Sequence, residues 1–137
     1  MSSTLRYPTV LFDLDGTLTD PLEGIARSVR YALEQLGRPP LSDEVLRGWI
    51  GPSLRASLAS VLDGDQDLVE QGMTLYRERY GPTGIFENRV YPGIPALLGD
   101  LAAAGCAVCL ATSKPQIFAQ RILEHFGIAR HFTVIGG

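Results

Sequence analysis

Cysteine and histidine are scarce in this chain, two of each among 137 residues, and there is a single tryptophan. Two cysteines cannot build a disulfide framework, and the Cys106-Ala-Val-Cys109 pair suits neither a redox nor a zinc role. The pair lies in the run 106–111, which reads as a strand, where residues three apart face opposite sides with Cα atoms roughly 10 Å apart. That exceeds disulfide reach, and one such pair cannot close a tetrahedral zinc shell. Both cysteines are therefore expected to be reduced core residues. His125 and His131 have no partner spacing that would make them metal ligands. Long hydrophobic runs are missing too. None approaches the ~20 residues of a membrane span, and residues 1–6 lack a signal-peptide apolar region. Nor is there an excess of either charge. Twelve Lys and Arg against fifteen Asp and Glu give a net charge of −3, which offers no basis for nucleic-acid or membrane-surface binding. The expectation is a cytoplasmic protein of one domain, or one small domain carrying an insert.

What is present is concentrated in Val10-Leu11-Phe12-Asp13-Leu14-Asp15-Gly16-Thr17-Leu18-Thr19. Three apolar residues running into Asp-Leu-Asp and stopping at Gly-Thr predict a fully buried strand whose carboxyl end opens into a turn. In open α/β sheets ligands sit just outside the carboxyl ends of strands. Alternation places Asp13 and Asp15 on one side of the backbone and Leu14 on the other. Two carboxylates that close repel unless a cation, a shared proton or both compensate. A lone D-x-D-G is more simply read as a solvated Asx-Gly turn, but this one stands directly behind a strand.

From Asp20 onward the pattern turns helical. Asp20-Pro21-Leu22-Glu23 predicts a helix start, with Asp20 as N-cap, Pro21 first in the helix and Glu23 completing a capping box. Ile25, Val29, Ala32, Leu33 and Leu36 keep helical spacing up to Gly37. Ser42-Asp43-Glu44 caps a second helix, a third spans 54–62 and a fourth 67–80. No strand pattern occurs between Pro21 and Ile85. Residues 21–85 thus read as an all-helical insert, with Trp49, Tyr76 and Tyr80 in its core. Core-type sequence then resumes. A helix with Ile94, Leu97, Leu98, Leu101 and Ala104 inward leads to a buried strand over 107–111. Pro115 opens a helix with Phe118, Ile122 and Phe126 inward, and a third strand covers 132–135. Strand, helix, strand, helix, strand implies a parallel α/β sheet with right-handed crossovers.

Thr112-Ser113-Lys114 stands where the second strand ends and a helix begins. A hydroxyl, backbone N–H groups and a helix N-terminus make an anion site there. Standing alone, the turn would be an ordinary cap with a solvated lysine. Adjacent parallel strands, however, bring it to the same rim as Asp13.

Asp13-x-Asp15-Gly16-Thr17-Leu18-Thr19, behind its strand, resembles the first signature of the haloacid-dehalogenase-like (HAD) phosphohydrolases. Asp20-Pro-Leu-Glu-Gly-Ile25, Ile50-Gly-Pro-Ser-Leu54, Tyr91-Pro-Gly-Ile94 and Ala111-Thr-Ser-Lys-Pro115 resemble the phosphoglycolate-phosphatase type. Gly84-Ile-Phe-Glu-Asn88 and Leu123-Glu-His-Phe-Gly127 are similar to its 5'-nucleotidase-like branch. The resemblance implies a Rossmann-like core over 1–20 and 86–137, with 21–85 as a helical cap. It implies Asp13 as nucleophile and Asp15 as general acid/base in hydrolysis of a small phosphorylated metabolite. It also implies Mg²⁺ held by Asp13 and by the Asp15 carbonyl. Phosphoryl contacts would come from Thr112 and from backbone N–H groups at Leu14, Gly16, Thr17, Ser113 and Lys114. Arg55, beside the Gly51-Pro52 break, is a candidate substrate contact. A sugar-phosphate mutase shares these signatures. A receiver-like phospho-accepting module shares the residue types, but its phosphorylated Asp ends the third strand and no helical insert follows the first. The family continues past Gly136 with a lysine signature and an acidic signature that completes the metal site, so a chain of these residues alone is expected to lack turnover and to expose its first strand.

Overall fold

In the computed structural model, β1 (Thr9–Phe12) pairs in parallel with β4 (Ala107–Ala111), Thr9 opposite Ala107 and Phe12 opposite Leu110. On its other side β4 pairs in parallel with β5 (Val134–Gly136), giving the order β1-β4-β5. The structure describes residues 8–136; the polar lead-in of residues 1–7 and Gly137 lie outside the described residues. The chain divides into two compact units, one of residues up to Asp20 with those from Arg89 onward, the other Pro21–Asn88.

In the sheet unit, α5 (Ile94–Ala103) precedes β4 and α6 (Gln116–His125) precedes β5. The α6 helix ends on Gly127 at φ 69°, where the Ile128 N–H reaches back to the Leu123 carbonyl, a left-handed closure that favours glycine. Both crossovers step the same way along the sheet, and right-handed connections of that kind put both helices on one face. Alternation follows. Val108 and Leu110 are buried toward that face, at 0% and 2% exposure. On the opposite face the register lines up Leu11, Cys109 and Val134, with Leu11 69% and Val134 56% exposed. The first strand is therefore not fully buried, contrary to its apolar run. Among the described residues it is an edge strand with one uncovered face, and alternation applies to it after all. Leu97 of α5 is likewise exposed although the helical stripe predicts it inward.

Two residue pairs escaped the sequence pattern. β2 (Thr19–Asp20) and β3 (Arg89–Val90) form a short antiparallel ladder where the chain leaves the sheet unit and returns to it. Asp20 is consequently extended and opposite Arg89, one residue before the N-cap of the next helix. The N-cap of α1 (Leu22–Gln35) is Pro21, without a side-chain hydrogen bond.

The second unit contains α1, α2 (Asp43–Arg47), α3 (Leu54–Val61), α4 (Gln66–Tyr80) and a 3-10 turn at Gly84–Phe86. Ser42, Ser53 and Asp65 accept backbone N–H bonds at the starts of α2, α3 and α4, as short polar side chains do at N-caps. Helix α1 buries Ile25, Val29, Ala32 and Leu33, and α4 contributes Val69, Met73 and the stacked pair Tyr76 and Tyr80, 5.1 Å between ring centres. Helix α1 approaches the 3-10 turn closely. A Cβ on Gly24 would lie 1.9 Å from the Gly84 carbonyl oxygen. Among the described residues, no helix is long and apolar enough to cross a membrane.

Candidate active site

At the carboxyl end of β1 the chain folds into a tight loop over one carbonyl. The N–H groups of Thr17, Leu18 and Thr19 all point to the Leu14 oxygen, at 3.2, 2.9 and 3.2 Å. Gly16, at φ 81°, donates its N–H to the Thr19 oxygen at 2.8 Å. A side chain is disfavoured at that φ, which explains a glycine there. Leu14 is fully buried and anchors the loop. The two flanking carboxylates are thereby held in different surroundings. The Asp13 side chain is exposed and its Oδ1 accepts the Leu14 N–H at 2.7 Å. The Asp15 side chain is only 16% exposed.

The second turn comes to the same rim. Leu110 lies opposite Phe12, so β1 and β4 deliver Asp13 and Thr112 to neighbouring strand ends. The Thr112 N–H bonds the Gly136 carbonyl at 3.3 Å and its Oγ1 accepts the Lys114 N–H at 3.1 Å. The hydroxyl hydrogen remains available for an acceptor. No side chain caps α6, and Ser113 is exposed just before it. The Lys114 side chain is 7% exposed and its Nζ stands 3.1 Å from Asp15 Oδ2.

Burial is the largest influence on both members of this pair. It raises the Asp15 carboxyl above the usual carboxylate range, against the attraction of Lys114 and with added repulsion from Asp13. It lowers the Lys114 ammonium, against the attraction of Asp15. The other Asp15 oxygen, Oδ1, is buried and has no hydrogen-bond partner among the described residues.

The structure thus brings Asp13, Asp15, Thr112, Ser113 and Lys114 together in one unit. Three expectations change. The Gly16 and Thr17 N–H groups close the loop on the Thr19 and Leu14 carbonyls. The Leu14 N–H is engaged by the Asp13 carboxylate. The Lys114 N–H, expected at a phosphoryl group, bonds Thr112 Oγ1, and the lysine side chain is directed at Asp15. Sequence reading missed that pairing, although a lysine two residues past Thr112 on the same rim was its signal. Arg55 belongs to the helical unit and is ion-paired there with Glu70. No three His, Cys, Asp or Glu residues cluster among the described residues. The Asp13 carboxylate and the Asp15 carbonyl nevertheless supply hard oxygen donors on one loop, a set that fits part of the shell of a cation such as Mg²⁺.

A parallel α/β unit with two carboxylates at the carboxyl rim and a Thr-Ser-Lys turn facing them defines the class: a sheet-rim site built around an acidic loop. Residues 10–137 match the haloacid dehalogenase-like hydrolase family, and the chain belongs to it. It is 47% identical over 135 residues to a 5'-nucleotidase of Pseudomonas aeruginosa, covering 98% of this chain and 61% of the relative. It is 35% identical to a phosphoglycolate phosphatase of Vibrio parahaemolyticus, covering 93% and 60%. Among solved structures, protein tyrosine kinase A (PtkA) of Mycobacterium tuberculosis superposes with a TM-score of 0.86 at 40% identity, over 96% of this chain and 60% of that one. The chain spans about three-fifths of the length of these relatives.

Proposed function

We propose that the protein carrying this chain is a phosphatase that hydrolyses a small phosphomonoester, of the phosphoglycolate or nucleoside 5'-monophosphate kind, through an aspartyl-phosphate intermediate. The observation that carries the reading is the divided environment of the two acids. An exposed Asp13 is positioned to attack, and a buried Asp15 with a raised pKa is suited to hold a proton. Pairs of carboxyl groups driven apart in this way mark acid and nucleophile roles. The phosphatase names of the relatives support it.

In this mechanism an Asp13 carboxylate oxygen attacks phosphorus, forming the P–O bond of an acyl phosphate while the bond to the leaving oxygen breaks. Asp15 gives its proton to that oxygen, so an alcohol departs. Asp15, now ionised, takes a proton from water as that water attacks the acyl phosphate, which releases inorganic phosphate and restores Asp13. The Thr112 hydroxyl and the Ser113 N–H hold phosphoryl oxygens where negative charge gathers. Mg²⁺, held by Asp13 and the Asp15 carbonyl, would offset the repulsion between carboxylate and phosphate dianion when bound. The core of the enzyme is the sheet unit, and the helical unit of residues 21–88 is its cap, with Arg55 as a substrate contact.

The test uses the intact protein with Mg²⁺. Asp13→Asn is expected to abolish release of inorganic phosphate and any trapped acyl phosphate, whereas Asp15→Asn keeps some turnover of substrates with good leaving groups. Retained phosphate release by the Asp13 variant would refute the nucleophile. An isomerised phosphate ester in place of inorganic phosphate would make the protein a mutase, and transfer to a tyrosine hydroxyl would align it with PtkA. The receiver-like reading is disfavoured by the site itself, since Asp13 ends the first strand and the helical unit follows directly.

A further inference from the structure

A lysine side chain ordinarily lays its stem along apolar surface and keeps its ammonium in water. Lys114 does not: its side chain is 7% exposed and its Nζ is 3.1 Å from Asp15 Oδ2. Burying such a pair carries a desolvation cost that replacement by apolar residues would avoid, so its presence at the rim calls for a role. Two further observations define one. The remaining oxygen, Asp15 Oδ1, is buried without a hydrogen-bond partner among the described residues. The Lys114 N–H is itself bound to Thr112 Oγ1 at 3.1 Å, which ties the lysine's backbone to the phosphate-binding turn.

We propose that Lys114 is a positioning residue for the general acid: it holds Asp15 Oδ2 and so fixes the orientation in which the Asp15 carboxyl meets the leaving group. The inference rests on the phosphatase reading and replaces the expectation that Lys114 binds the phosphoryl group. In the first half-reaction the Asp15 O–H bond breaks as the alcohol O–H bond forms, and the electrons of the P–O bond pass to the leaving oxygen. Lys114 keeps its protons throughout and stabilises the carboxylate left behind. Because Thr112 fixes the lysine's backbone, the acid is set at a constant offset from the bound phosphoryl group. A misplacement of about 1 Å in such a constellation can cost about 100-fold.

The test compares an alkyl phosphate, which needs a proton at the leaving oxygen, with 4-nitrophenyl phosphate, which needs little help. In the intact protein Lys114→Met is expected to lower kcat for the alkyl ester by about 100-fold, the lower range for loss of general acid catalysis, and to lower it far less for the aryl ester. The inhibition constant of inorganic phosphate should stay near its wild-type value. Lys114→Arg should restore part of the alkyl activity. On an Asp15→Asn background, where no buried carboxylate is stranded, adding Lys114→Met should cost little more. This combination also decides the matter if the single variant fails to fold. Equal losses on both esters with weakened phosphate inhibition would overturn the proposal and return Lys114 to the phosphoryl group. Unchanged kinetics would overturn it as well. Wild-type protein that hydrolyses both esters, with Asp13→Asn inactive, keeps the phosphatase reading intact whichever way Lys114 falls; wild-type protein that hydrolyses neither overturns both.

Discussion

Asp13 and Asp15 are the same residue type two positions apart, and their surroundings alone separate them. The loop over the Leu14 carbonyl leaves Asp13 exposed and turns Asp15 inward against Lys114. Thr112 is the corresponding residue on the facing turn. Its hydroxyl accepts one N–H from Lys114 and keeps a hydrogen for a ligand oxygen. Thr112→Val removes both bonds, and a lost bond to a charged group costs about 1–3 kcal/mol, which corresponds to roughly a 5- to 150-fold fall in kcat/KM. Thr112→Ser, which keeps the hydroxyl, should recover most of it. A valine variant equal to wild type in steady-state kinetics would make Thr112 an ordinary turn residue. The residues of this site were legible in the sequence because each follows an apolar strand run and stands before a loop or helix. Their partners were not. Whether a backbone N–H faces a ligand or closes its own loop, as at Gly16 and Thr17, depends on turn closure that residue type does not specify.

Helices α1 to α4 were legible from the run of residues between their Gly and Pro breaks, and α2 from its Ser42 cap as well, whereas β2 and β3 were not. Two-residue strands have no period to detect, and an Asp before Pro-Leu-Glu reads as a helix start whether or not it also pairs with Arg89 in a ladder. What holds α1 against the end of its unit was equally hidden, because the residues come from distant segments. The Gly24 N–H bonds the Glu87 carbonyl at 2.9 Å. The Glu87 carboxylate receives Arg79 through both oxygens, at 2.7 and 3.2 Å, and Arg27 at 2.8 Å. Arg79 also donates to the buried Ser28. The hydrogen bond from Arg79 is the largest influence on Glu87 and, with Arg27, holds its carboxyl below the usual range against a smaller effect of burial. A carboxyl whose pKa is lower in the folded state contributes stability above its unfolded pKa. That contribution fades as pH falls past the ordinary glutamate value and through the lower native one. Glu87→Gln should therefore destabilise the protein at neutral pH by about 1 kcal/mol, allowing for solvent screening of the pair. The difference from wild type should shrink toward zero as the medium is acidified. Thermal unfolding followed at a series of pH values checks this; a constant gap across the acid range would assign the network no electrostatic role.

At the scale of the whole molecule, topology decides which apolar surface is covered. Crossovers that step one way place α5 and α6 on one face of the sheet, and Val108 and Leu110 lie buried beneath them. The opposite face presents Leu11, Cys109 and Val134 in one row across three strands. Leu11 and Val134 are largely exposed there, and among the described residues β1 is also an edge, with β4 on one side only. An exposed apolar edge strand is a template for pairing with another chain, and contiguous apolar patches mark surfaces that associate. The 137-residue chain by itself should therefore bind a fluorescent apolar dye and show light scattering that grows with concentration. Leu11→Lys with Val134→Thr should reduce both signals. Lysine on an edge opposes strand addition, and threonine keeps the β-branched shape that suits β5. Neither side chain supports the core, so the unfolding temperature should change little. A chain that stays monomeric and leaves the dye dark would show that this face is covered by residues outside those described. Scattering that persists undiminished in the double variant would place the associating surface elsewhere, with the exposed Ile117 and Leu97 on α6 and α5 as the next positions to change.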